Sequence, residues 1–273
     1  MTLPLNAAQL VEIRQEGELF RDLHDIAIVT QRNLLLDLRN PAVIIGSTGF
    51  PIFLMLIFTA SFAKVVVPNG SYTDYGQFLV PLSTIQGLLF STINTGTALY
   101  YDLRSGMVSR LRTLPIARSA VLAGRILGGA GRLLVQVTFI TLVGHLIGFR
   151  FQNGFINSLL YLLLPVVFTS AFSWVAVFLA VKAKSAETVQ AAMAPWLLPL
   201  TFLSIGYVPK EGFPEWVQGF VSLNPVSAVA QAMRGLSFGG PYVEYVIQSL
   251  LWSAALTAVF STLAIRAYQK RNS

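Results

Sequence analysis

The residues of this sequence that could do chemistry are mostly arginines. Arg104, Arg110, Arg112 and Arg118 fall in one short polar island, Tyr101 to Arg118, against a single acid, Asp102. Long runs free of Asp, Glu, Lys and Arg flank it at 75–101 and 133–149. Within the island Met107, Leu111 and Leu114 recur at spacings of four and three, while Arg104, Ser105, Ser109 and Arg112 fall largely off that stripe. The pattern predicts a short amphipathic helix closed by Pro115, a contact surface for a soluble partner. A basic loop between two membrane spans also marks the cytoplasmic side, where Lys and Arg are retained.

Catalytic chemistry has little to stand on. The sequence contains no GxxxxGK[ST] loop for nucleotide phosphates, no HExxH and no His/Asp/Glu cluster at metal spacing. Neither a catalytic nor a metal site is predicted, and no cofactor is expected to be bound by this chain. The absence of cysteine excludes disulfides and thiolate metal sites. Of the two histidines, His24 reads as solvated and His145 as a packed, hydrogen-bonded residue inside a span. Polar points inside the spans are Gln86, Ser91, Asn94, Thr95 and Gln136. Gln86, Phe90 and Asn94, four apart, share one helix face. That face either lines a path or makes interhelical hydrogen bonds.

The elements that must position these residues are membrane spans. Of 273 residues, 54% are hydrophobic and only 11% charged, whereas soluble domains carry about 25% charged residues. Several uncharged runs exceed the roughly 18 residues that signal a spanning helix. The expected fold is all-α: six spans, near 41–63, 77–100, the run after the island, 155–181, 188–208 and 243–265. Residues 1–40 form a separate N-terminal unit with Ile13, Phe20, Leu23 and Ala27 at helical spacing. It reads as an amphipathic helix lying in the interface, or as a soluble helix preceding the first span. Residues 41–273 form the membrane domain. Fifteen of the 19 Lys and Arg residues fall on one side of this arrangement, which sets both termini in the cytoplasm. The net charge of +7 is thus a topology signal, and no nucleic-acid partner is expected.

Two regions depart from plain spans. Arg118, Arg125 and Arg132 are spaced by seven, one stripe on the third helix. Arg132 is expected at the inner interface, snorkelling, with Arg118 roughly 21 Å further into the cytoplasm. Gly124 and Gly128 let another helix approach closely. Further on, residues 216–233 are uncharged, yet Asn224-Pro225 divides them. Residues 209–242 therefore read as an outer hairpin of two short helices, about 216–223 and 226–234, dipping into the outer leaflet and returning. Glu211, Glu215 and Arg234 would rest at the outer surface. An amphipathic loop on that surface is the alternative.

LRTLPIARSAVLAGRI at 111–126, GFRF at 148–151 and FPEWVQGFVSLNPVSAVAQAMRGLSFGGP at 213–241 resemble the membrane subunits of ABC type-2 exporters, especially daunorubicin-resistance-type permeases. The likeness runs from about residue 20 to 268. It implies a permease of the cell inner or plasma membrane that exports a hydrophobic drug or lipid. It further implies two permease subunits, identical or homologous, over two copies of an ABC ATPase that carries ATP and Mg. Residues 102–118 would then be the coupling loop, with Arg104, Gly106, Arg110, Leu111, Arg112, Pro115 and Arg118 at the ATPase contact. Asn224 and Pro225 would shape a re-entrant hairpin before the last span. The lack of buried carboxylates or His chains in the spans agrees with an external energy source. Rival classes are a membrane enzyme acting on lipid, for which Glu211, Glu215 and Glu244 are the candidate acids, and a channel or scaffold.

Overall fold

The computed structural model describes residues 26–37, 39, 41–66, 71–104 and 118–271, with backbone alone at 41–44, 66, 118–121 and 271. Among these the regular structure is helical. Residues 26–37 form α1. It is followed by α2 (Pro41–Val66), α3 (Tyr72–Arg104), α4 (Arg118–Leu146), α5 (Gly154–Lys182), α6 (Ala186–Phe202), α7 (Glu215–Leu223), α8 (Pro225–Phe238) and α9 (Val243–Arg271). A single 3-10 turn, Lys210–Gly212, precedes α7.

α3 is the axis of the bundle, in contact with α2, α4, α5, α6 and α8. In its most apolar window 78% of the residues are buried, against 11% for α9, which packs mainly on α5 and α8. Buried apolar residues of α3, among them Leu79, Leu82, Ile85 and Leu89, form one core with Tyr161 and Phe168 of α5 and Val229 and Met233 of α8. Elsewhere large apolar side chains point outward, including Phe53 and Ile57 on α2, Phe139 and Leu142 on α4 and Leu251 on α9. Outward-facing apolar surface is what a lipid environment selects. We call the end where residues 105–117 join α3 to α4 the island end, and the opposite end, where α7 and α8 lie, the hairpin end.

Among the described residues five helices are long and apolar enough to cross a membrane: Ile45–Val65, Tyr72–Arg104, Leu122–Leu146, Gly154–Lys182 and Val243–Lys270. The fifth expected span, 188–208, differs. α6 stops at Phe202 after 17 residues, about 25 Å at 1.5 Å per residue and short of the ~30 Å hydrocarbon core. The cause lies in its last carbonyls. Asn224 Nδ2 donates to the carbonyls of both Leu200 and Leu203 at 2.8 Å. Arg234 takes those of Ile205 and Gly206. Side chains of the hairpin thus supply donors that a further turn of helix would have supplied. The opposite terminus is conventional: the Ser185 hydroxyl accepts from Thr188 N at 3.2 Å, a regular N-cap.

The break at Asn224-Pro225 lies where the sequence puts it. Asn224 Oδ1 accepts from Val226 N at 2.9 Å, and Pro225 occupies the first turn of α8, a position that needs no amide donor. α7 and α8 are accordingly two separate helices.

Candidate functional site

α1 lies against α4, and three α4 glycines make this possible. A Cβ at Gly124 would stand 2.6 Å from Val29 Cγ1, and one at Gly128 would stand 2.6 Å from Asn33 Cβ. At Gly131 a Cβ would collide with Leu34. The spacing of the glycines therefore reads as a docking groove for α1, the close approach expected at Gly124 and Gly128. The face of α1 that enters the groove is Val29, Asn33 and Asp37, four apart and all buried. Ile28, Leu35 and Leu36 point outward, as does Ala27. Ile13, Phe20 and Leu23 lie outside the described residues.

Packing of α1 delivers one carboxylate to two arginines. Asp37 Oδ1 accepts from Arg125 Nη2 and Asp37 Oδ2 from Arg132 Nε, each at 3.2 Å. Arg132 also donates through Nη1 to Ser91 Oγ, and through Nη2 to Thr95 Oγ1 at 3.0 Å. Its exposure is 1%. A snorkelling Arg132 was the expectation, and the structure corrects it: the side chain turns inward because α1 brings a counter-charge and α3 brings hydroxyls. Arg125 is 5% exposed, and its Nε has no hydrogen-bond partner among the described residues. Two guanidiniums share one carboxylate, so the cluster keeps an excess positive charge. Removing the acid from such a buried group costs about 3–5 kcal/mol, since both cations lose their counter-charge.

The island end carries further ties. Arg32 Nη2 approaches Asp102 Oδ1 at 3.7 Å, linking α1 to the last turn of α3. Tyr100 donates its hydroxyl to the Lys184 carbonyl at 2.6 Å. Arg104 packs over the Tyr100 ring, 5.5 Å from its centroid, and reaches the same carbonyl at 3.3 Å. The last turn of α3 is thereby joined to α1 and to the α5–α6 turn. Of the expected coupling residues, Arg104 closes α3 and Arg118 opens α4. Gly106, Arg110, Leu111, Arg112 and Pro115 lie outside the described residues.

Gln86, Phe90 and Asn94 stand on α3, but the structure does not gather them into one open wall. Gln86 is 1% exposed and its Oε1 accepts from the Tyr207 hydroxyl at 2.6 Å. Phe90 leans on Phe50 of α2, ring centroids 6.0 Å apart. Phe90 and Asn94 are half-buried. Gln136 donates to the carbonyls of Ser47 and Gly87, stitching α4 to α2 and α3. His145 Nδ1 pairs with the Thr141 carbonyl at 2.8 Å, a packed histidine. Among the described residues no group of three or more His, Asp or Glu could hold a metal ion.

At the hairpin end a third arginine is buried. Arg234 was expected at the outer surface, yet its exposure is 5%. Its Nε donates to the Phe78 carbonyl at 3.0 Å, Nη1 to Ile205 O at 2.7 Å and Nη2 to Gly206 O at 2.6 Å. The guanidinium lies over the Phe78 ring at 3.4 Å. Burial follows because the interrupted end of α6 offers carbonyls that only a planar fork of donors can collect together. The two residues after GFRF are fastened to α8, through Gln152 N to Ser237 O at 2.7 Å and Asn153 Nδ2 to Gly235 O at 3.0 Å.

A bundle of long apolar helices, a polar stretch of sequence between two of them and a broken helical pair before the last one describe a multi-pass membrane protein of the permease type. The chain belongs to the ABC-2 type transporter family, which it matches over residues 24–238. It is 35% identical to a daunorubicin resistance ABC transporter permease protein of Streptomyces coeruleorubidus, over 85% of this chain and 81% of that protein. It is 30% identical to a protein of Mycobacterium tuberculosis named as a probable doxorubicin resistance ABC transporter permease, over 84% of this chain and 83% of that one. A more distant relative is the inner membrane transport permease YhhJ of Escherichia coli, 22% identical over 74% of this chain and 54% of its own length.

Proposed function

We propose that this chain is the membrane subunit of an ATP-driven exporter for a hydrophobic drug or lipid, powered by a separate ABC ATPase docked at the island end. The observation that carries this reading is the Asp37–Arg125–Arg132 cluster within a family of transporter permeases. It fastens α1 to α4 and α3, the two helices that the island joins. A push on the island would therefore move three helices as one body. Residues 102–118 form the ATPase contact, with Arg104, Gly106, Arg110, Leu111, Arg112, Pro115 and Arg118 facing it. ATP and Mg belong to the ATPase, present in two copies beneath two permease subunits.

In this reading the island end and both termini are cytoplasmic, in the cell membrane. α6 is the short fifth crossing, completed at the outer side by the re-entrant pair α7 and α8. α1 lies in the inner interface, supported by the outward Ile28, Leu35 and Leu36. A hydrophobic cargo is supported by an apolar hollow of about 730 Å³ between α6 and α7, walled by Trp196, Leu200, Leu203, Trp216 and Phe220. The names of the relatives make daunorubicin a suitable first probe. In inverted vesicles holding the chain with a cognate ABC ATPase, daunorubicin uptake should require ATP. Arg110→Glu with Arg112→Glu should abolish ATPase co-purification while membrane insertion persists. Unchanged co-purification of that variant would refute the docking assignment.

A further inference from the structure

A cavity of about 650 Å³ opens beside α8 at the hairpin end. Phe78, Phe238 and Tyr245 form its apolar walls, and Gln231 and Gln248 add polar ones. Arg234 lines it as well. The partners of that guanidinium are the carbonyls of Phe78, Ile205 and Gly206 and the Gln231 Oε1 at 3.3 Å. These four acceptors serve four of its five N–H groups. All are neutral. Carbonyl dipoles solvate a cation without cancelling its charge, and the low-dielectric walls of a hollow concentrate the remaining field. Two more charged residues line the cavity, Lys210 and Glu211, so cations outnumber acids.

We propose that this cavity binds the oxyanion headgroup of an amphiphile, a phosphate ester being the prototype, with its apolar tail against Phe78, Phe238 and Tyr245. A neutral cargo would not need an uncompensated buried guanidinium, whereas an anionic head set beside one replaces the missing counter-charge. The inference rests on the exporter reading only for its side of the membrane. Binding is measured on this chain alone, so it can fail while transport stands, and the reverse.

The test uses the full chain purified in dodecyl maltoside, titrated by calorimetry with dioctanoyl phosphatidylglycerol, dioctanoyl phosphatidylcholine and inorganic phosphate. The anionic lipid should bind about tenfold more tightly than the zwitterionic one, a difference of one decade in Kd. Inorganic phosphate, lacking the tail, should bind more weakly than the anionic lipid. Gln248→Trp, which narrows the cavity while leaving the four acceptors of Arg234 in place, should abolish the preference, as should Arg234→Gln. If Arg234→Gln does not fold, Gln248→Trp still decides. Equal affinity for the two lipids, or an unchanged preference in Gln248→Trp, overturns the proposal. Phosphate binding as tightly as the anionic lipid overturns the amphiphile assignment.

Discussion

Arg132 and Arg234 are both buried, and the protein holds them by opposite means. At the island end Arg132 meets a carboxylate from a separate helix, 95 residues away in sequence. At the hairpin end Arg234 meets backbone carbonyls of α3 and of the segment after α6. A carboxylate pair joins two rigid bodies through one replaceable contact. Carbonyls held by one side chain define the shape of a single body, and any change to the fork leaves backbone groups unsatisfied. The island end is therefore built as a joint between helices, and the hairpin end as a stitched unit.

The largest effect that this contrast predicts is at Asp37. Asp37→Asn should destabilise the chain by about 3–5 kcal/mol, read as a lowered midpoint in a detergent thermal-unfolding assay. Exchange of charges in the double variant Asp37→Arg with Arg132→Asp should recover part of the loss. No recovery would mean that the surrounding hydroxyls Ser91 and Thr95, and not the charge pair, fix the joint. Arg234→Lys comes next, at about 2 kcal/mol, because an ammonium keeps the charge but cannot reach three divergent carbonyls. A Lys variant as stable as the wild type would show that charge alone holds the hairpin. Gly128→Val tests the groove. Overpacking against Asn33 should cost about 1–3 kcal/mol and raise proteolysis of the N-terminal segment. Arg32→Ala is the smallest, within about 1 kcal/mol, since the pair with Asp102 is partly solvated.

Much of the architecture could be read from residue order. Uncharged runs locate the long helices, since a membrane demands internally bonded backbone over a fixed thickness. Asn224-Pro225 announces the break because proline lacks an amide donor and disfavours helix in the residue before it. Gly124 and Gly128 announce a close neighbour, though not which one. The partner of Arg132 stays hidden in sequence. Asp37 sits among many charges of the N-terminal segment, and only the docking of α1 selects it. Arg234 was misplaced for a related reason: a lone charge beside apolar runs is read as interfacial, whereas here it is solvated by the Phe78 carbonyl of α3 and by two carbonyls of the segment where α6 has stopped. That early stop was itself illegible, because prolines such as Pro195 and Pro199 are tolerated inside membrane helices. Gln86 shared a face with Phe90 and Asn94 on spacing alone, while its hydrogen bond to Tyr207 depends on the fold.

The measurement that bears most directly on the joint is the coupling ratio, daunorubicin moved per ATP hydrolysed, in vesicles carrying the chain with its ATPase. Folded Asp37→Asn, isolated by size-exclusion chromatography, should keep ATPase binding and hydrolysis while the ratio falls well below that of the wild type. An Asp37→Asn protein that binds the ATPase and exports at the wild-type ratio would contradict the account.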